Sequence, residues 1–181
     1  MKTKNKNIIG VSLFFGLLAF LNRHRIKSIF MPTKTNTEHL ASLNPKYKAN
    51  FMAFINQAIL KGWKPQINSS YRDFNQSISL NKENKLNPLN SLHNYGLAID
   101  VQFSKGPIIL GKTTNKEAWL NSGLVTLAKN NGLAWGGGFT NYIDNVHFYI
   151  PGLNASNLLT MAHKQFKTKN LSLIPGNKLI V

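Results

Sequence analysis

Residues 96–103 read GLAIDVQF, and their alternation decides the fold. Successive side chains of a strand point to opposite faces. Leu97, Ile99, Val101 and Phe103 therefore form one apolar face, and Ala98, Asp100 and Gln102 form the other. A second stretch, NVHFYI (145–150), alternates in the same way: Val146, Phe148 and Ile150 against His147 and Tyr149. Each strand thus turns a titratable side chain away from its core face. If the two strands are neighbours, a carboxylate and an imidazole look out from the same side of one sheet. His93, just ahead of the first strand in SLHNYGLAID (91–100), can add a third donor from a loop.

The rest of the chain supplies helices for the apolar faces. In NPKYKANFMAFINQAILKG (44–62), Asn44 can cap a helix and Pro45 suits its first turn. Tyr47, Phe51, Phe54, Ile55, Ala58 and Ile59 follow helical spacing, and Gly62 suits the stop. PQINSSY (65–71) reads as a short strand, DFNQSISL (73–80) as a short helix and NKENKLNPLN (81–90) as a polar loop. EAWLNSGLVTLAKNNG (117–132) reads as a helix with Leu120, Leu124, Leu127 and Ala128 on one face, and a last helix is expected near 155–167. Helices mixed with short strands, without a regular βαβ rhythm, predict an α+β fold.

Composition narrows the function classes. The 181 residues are 43% hydrophobic, enough for one domain with a proper core. Basic residues number 22 against 6 acidic, a net of +16, which favours anionic partners such as nucleic acid, anionic lipid or envelope polymers. No Cys is present, so disulfides and thiolate metal sites are excluded, and a metal must be held by His, Asp or Glu.

The start of the chain reads differently. Lys2, Lys4 and Lys6 precede the apolar run IIGVSLFFGLLAFL (8–21), and Arg23, Arg25 and Lys27 follow it. Its length suits a signal-peptide apolar region better than a bilayer span, which needs about 20 residues. The reading for 1–36 is an export signal or anchor and a basic linker, with a buried helix as the alternative; the domain is expected over 37–181. An exported or membrane-anchored envelope protein follows, its first segment a candidate for membrane contact.

Two His and one Asp suit a tetrahedral zinc with one position open to water. Such a site needs a general base, and Asp144, three residues before His147 in DNVH, can be turned back over it. Plainer readings stand beside each of these. Asp100 can be an exposed strand residue, His147 a satisfied core histidine, and Asp144 the start of a turn. His24, His39 and His163 read as surface residues.

The order S-L-H-N-Y-G-L-A-I-D, followed by W-G-G-G-F-(x)4-D-N-V-H-F, resembles the zinc D,D- and L,D-peptidases of bacterial cell walls over roughly residues 40–152. The resemblance implies a small antiparallel sheet with helices packed on one face and the zinc site on the other, the D,D-peptidase/hedgehog-like arrangement. It implies His93, Asp100 and His147 as ligands of one Zn2+ per chain, and Asp144 as general base. It implies Arg72, in NSSYRDFNQ, as electrostatic partner of the substrate carbonyl, and Ser91 as a substrate contact. Trp135 and the glycines after it match the family's W-G-G, with Trp135 a candidate substrate contact. Against these, Arg72 can be a surface residue paired with Asp73, Ser91 can cap a turn, and Trp135 can be core. Three departures stand out: Val146 replaces the usual Pro, Tyr149 replaces a frequent Glu, and the loop between Arg72 and Ser91 is short and Asn-rich.

The implied activity is hydrolysis of peptidoglycan stem peptides. Asp at position 144 favours the L-Ala–D-Glu bond, with D-alanyl-D-alanine carboxypeptidase activity as the close rival. The rival from another class is a non-catalytic basic protein binding nucleic acid or anionic wall polymer. Seven basic residues lie in the first 34, which leaves 15 against 6 acids in the remainder, still basic. No nucleic-acid-binding motif accompanies that charge, so no specific nucleic acid is expected.

Overall fold

The computed structural model describes residues 34–83 and 90–181. The apolar run 8–21, most of the basic linker and His24 lie outside them. Its frame is an antiparallel sheet of five strands: β1 (Lys64–Ser69), β2 (Ala98–Lys105), β3 (Ile108–Leu110), β4 (Ala134–Trp135) and β5 (His147–Tyr149). Four run in the order β1-β2-β5-β4, and β3 folds back on the far end of β2. The central strand is the one that alternates most cleanly. Leu97, Ile99, Val101 and Phe103 are all fully buried, whereas Asp100 and Gln102 are partly exposed. Ile99 pairs with Phe148 and Asp100 with His147, so the apolar faces of β2 and β5 coincide as their spacing predicts.

Helix α2 (Lys48–Leu60) covers that apolar face. Phe51, Phe54, Ile55 and Ala58 are buried, and the Phe54 ring lies 5.6 Å from Phe103 and 4.9 Å from Phe148. Each buried Phe or Ile side chain contributes about 1.5–3 kcal/mol. Ile59, on the edge of the stripe, is half exposed. Asn44 does not cap this helix. It opens the turn before it, accepting from the Lys46 N–H, while its amide donates to the Leu179 carbonyl and ties down the C-terminal end.

The stretch read as one helix over 117–132 is two, α4 (Lys116–Asn121) and α5 (Leu124–Asn130). The break falls at Gly123, whose φ of +75° no helical residue adopts. The kink rotates the first piece, so Trp119 is the fully buried residue and Leu120 is 40% exposed. Helix α3 (Phe74–Glu83) starts behind Asp73, and α6 (Ala155–Phe166) behind Asn154, whose side chain accepts from Ser156 and Asn157. The architecture is α+β, with α2, α4 and α5 on the apolar side of the sheet and the Asp100–His147 row on the other.

A helix not expected from the sequence lies at the expected start of the domain. Thr35 and Glu38 form a capping box for α1 (Asn36–Ala41), and Asn36 bonds to the edge of β1 through both the Pro65 carbonyl and the Ile67 N–H. His39 on this helix is not a surface residue: it is 8% exposed. His163 on α6 is also partly buried, with Nε2 out of solvent and without a hydrogen-bond partner. For His39 the contact comes from a distant part of the chain, Ser70. Among the described residues no helix is long and apolar enough to cross a membrane.

Candidate metal centre

His93 sits on a one-turn 3₁₀ helix, Leu92–Tyr95, closed by Gly96. Gly96 has φ +66°, and a Cβ there would lie 2.6 Å from the Asn44 nitrogen, so glycine is required on both counts. The reversal delivers the chain into β2, and Asp100 lands between Ser69 of β1 and His147 of β5 in one cross-strand row. The same turn is held from behind by Asn94. This fully buried amide donates to the Arg72 carbonyl and the Ser77 hydroxyl and accepts from the Ser91 N–H.

Three donor atoms converge. His147 Nδ1 lies 2.9 Å from Asp100 Oδ1, His93 Nε2 lies 3.3 Å from the same oxygen, and the two imidazole nitrogens are 3.3 Å apart. Zinc bonds of about 2.0–2.1 Å at tetrahedral angles place neighbouring donors about 3.3 Å apart, so the triangle is close to one face of such a tetrahedron. His93 Nδ1 is 2.7 Å from the Ser70 carbonyl, which can only accept; this nitrogen therefore carries the proton and Nε2 presents a lone pair. That lone pair faces a carboxylate oxygen, an arrangement that calls for a cation between them. Burial alone would push the Asp100 carboxyl up, but when protons on the imidazoles rather than an ion fill this gap, the charge of His93 and hydrogen bonds from both rings reverse this and hold it well below the usual carboxylate range. Among the described residues these are the three whose donors are grouped to hold a metal ion, and their chemistry fits one.

The other residues singled out in the sequence fall around this cluster. The Arg72 N–H donates to the His93 carbonyl, and its guanidinium donates to the Ser69 hydroxyl, 3.3 Å away and itself 3.5 Å from His93 Nδ1. Arg72 does not pair with Asp73, whose carboxylate accepts from the Gln76 N–H to start α3. Ser91 performs the turn-initiating role, its N–H donating to Asn94 Oδ1. Trp135 packs against Trp119 at 6.3 Å while its indole N–H donates to the Asn145 carbonyl, so it braces the loop that leads to His147.

That loop carries Asp144. Its N–H donates to the Gly136 carbonyl and its own carbonyl accepts from the His147 N–H. A Cβ at Gly136 would meet the Asp144 carbonyl at 2.7 Å and His147 Cβ at 3.0 Å, so the W-G-G glycine lets the loop close against the ligand. Asp144 Oδ1 is buried without a partner. An aromatic wall was not legible in the sequence: Phe139 lies 5.9 Å from His147 and 5.1 Å from Tyr142, and Tyr149 stacks on His147 at 5.5 Å. Burial first, then the carboxylates of Asp144 and Asp100, push the Tyr142 phenol up, so its ring and both carboxylates share one neighbourhood. Only the proximity of these aromatics to D-x-x-H hinted at this.

The profile of the D-alanyl-D-alanine carboxypeptidase family matches residues 85–150, which contain the triad and Asp144. The peptidoglycan L-alanyl-D-glutamate endopeptidase CwlK of Bacillus subtilis (strain 168) is 32% identical over 123 residues, covering 59% of this chain and 72% of that protein. Among solved structures, the L-Ala D-Glu endopeptidase ChiX of Serratia marcescens is similar at TM-score 0.49 and 16% identity, over 65% of this chain and 87% of that one. The vancomycin-resistance D,D-pentapeptidase VanY from a VanB-type cassette, a mutant in complex with Zn(II), is similar at TM-score 0.45 and 16% identity, over 64% and 76%. On its motifs, on the profile match and on the extent of its likeness to CwlK, the chain belongs to the D,D-peptidase and L-alanyl-D-glutamate endopeptidase family of zinc metallopeptidases.

Proposed function

We propose that this chain is a zinc-dependent peptidase that hydrolyses the L-Ala–D-Glu bond of peptidoglycan stem peptides in the cell envelope. The observation that supports it most is the triangle of His93, Asp100 and His147 donors, with edges of 2.9–3.3 Å. Those three residues would hold the ion. When bound, it supplies Lewis acidity, polarising a carbonyl oxygen and making water acidic enough to attack at neutral pH.

The chain's own groups do the rest. Asp144 Oδ1, buried and unpartnered, accepts the proton of the attacking water and passes it to the leaving amine. Arg72, tied through Ser69 to the His93 side of the site, donates N–H to the carbonyl oxygen as charge develops there. Phe139 and Tyr149 pack beside His147, and Tyr142 extends this aromatic surface toward solvent. Trp135 acts from beneath, as a brace, and Ser91 places the His93 turn.

The choice of bond rests on Asp at position 144 and on the likeness to CwlK. The carboxypeptidase description of the matching profile supports the alternative D-Ala–D-Ala bond. Mass analysis of digested muropeptides separates the two: L-Ala–D-Glu cleavage releases a stem peptide lacking its L-Ala, whereas carboxypeptidase action releases single D-Ala. A purified chain that leaves muropeptides intact with zinc present, or digests them equally well after exhaustive chelation, overturns the proposal. Export through residues 1–36, the domain over 37–181 and contact of the basic surface with anionic envelope polymers complete it.

A further inference from the structure

We propose that His39 is a positioning residue for the metal centre, acting through Ser70 on the ligand His93; the inference rests on the metal-site reading above. His39 Nδ1 lies 2.8 Å from Ser70 Oγ, Ser70 Oγ lies 3.1 Å from Ser42 Oγ, and the Ser42 hydroxyl donates to the His39 carbonyl at 2.7 Å. The proton directions in this ring are fixed. Ser42 spends its only proton on the carbonyl, so it accepts from Ser70. Ser70 then has no proton left for His39 and must accept from Nδ1–H. His39 is thus held as the Nδ1–H form, and Ser70 is pinned by both neighbours.

The backbone of Ser70 is what matters to the site. Its carbonyl accepts from His93 Nδ1 at 2.7 Å, and that bond turns the Nε2 lone pair toward Asp100 and His147. Ser70 lies just past the end of β1, where the ladder to β2 has shifted register between Ile67 and Ser69. The ladder to β2 ends one residue short, at Ser69, and does not reach the Ser70 carbonyl. Helix α1 holds this stretch: Asn36 bonds to β1 on both its polar atoms, and His39 reaches Ser70 one turn later. His39 and Ser70 are 8% and 2% exposed, so the ring works out of water, where its bonds are strong. This helix lies outside the segment that the family profile matches.

The test is zinc affinity of the full chain, by competition with a chromogenic chelator, at a temperature where circular dichroism shows each variant folded. Loss of an orienting partner of a metal-bound His typically weakens binding about 10–100-fold. His39→Ala is expected to weaken zinc binding about tenfold or more. His39→Asn, which offers a donor at the Nδ1 position, restores most of it. Leu124→Ala, a buried substitution on α5, lowers stability but leaves zinc affinity unchanged. If His39→Ala does not fold, Ser70→Ala, which keeps the carbonyl and removes the ring, is expected to show the same loss. Wild-type affinity in a folded His39→Ala or Ser70→Ala chain overturns the inference, as does an equal loss in Leu124→Ala. A wild-type chain that binds no zinc overturns the metal-site reading, and this inference with it.

Discussion

Replacing Gly96 with Ala tests whether the turn that separates His93 from Asp100 is built as described. Two terms add at this position. A left-handed φ of +66° costs an L-residue about 1–2 kcal/mol. The new methyl would also stand 2.6 Å from the Asn44 nitrogen and 3.1 Å from Leu43 backbone atoms, which cannot swing aside like a side-chain tip. Overpacking of that kind costs about 1–3 kcal/mol. Gly106, at the β2–β3 turn, has φ +56° with nothing within 4 Å of its would-be Cβ, so it carries the first term alone. Urea unfolding followed by circular dichroism should show Gly106→Ala losing about 1–2 kcal/mol and Gly96→Ala roughly 2–5 kcal/mol. Gly96→Ala should also bind zinc more weakly, because the Asn44 N–H bond to the Gly96 carbonyl must lengthen and the His93 turn moves with it. Equal losses in the two variants would refute the reasoning, since the backbone contact would then contribute nothing.

Trp119→Ala should cost about 3–5 kcal/mol while Leu120→Ala stays within about 1 kcal/mol, measured by urea unfolding; the reverse order would restore the single-helix reading of 117–132. Asn94→Ala removes a buried amide that ties Ser91, Arg72 and Ser77, and should cost about 2–3 kcal/mol in the same assay. Asp144→Asn should lower turnover of muropeptides about 10²–10⁴-fold with zinc content unchanged, read by mass analysis and atomic absorption.

What the sequence made legible was whatever depends on neighbours along the chain. The alternation in GLAIDVQF told which face of β2 is core because the period of a strand is local, and Leu97, Ile99, Val101 and Phe103 are buried as it requires. Asp100 and His147 could be placed on the opposite face for the same reason, and the structure pairs them directly. The convergence of His93 was supported by family likeness and not by periodicity, since a one-turn 3₁₀ helix leaves no pattern. What stayed hidden depends on partners far apart in sequence. His39 looks like a surface residue until Ser70, 31 positions on, comes to meet it. Asn44 has the chemistry of a cap, yet the C-terminal end takes its amide. The helix pattern over 117–132 ran through Gly123 because apolar spacing continues on both sides, whereas the left-handed backbone there rotates Leu120 outward. The short strand β3 pairs only with the end of β2, and its Ile108 and Ile109 are exposed, so no buried stripe announced it.

The central claim is that one divalent ion is held by three side chains from the His93 turn, β2 and β5. Its most direct test is the zinc content of the purified chain after dialysis, wild type beside His93→Ala, Asp100→Ala and His147→Ala. One zinc per wild-type chain and little or none in each folded variant is the expected result. A wild type without zinc, or a His93→Ala chain that keeps a full equivalent, would contradict it.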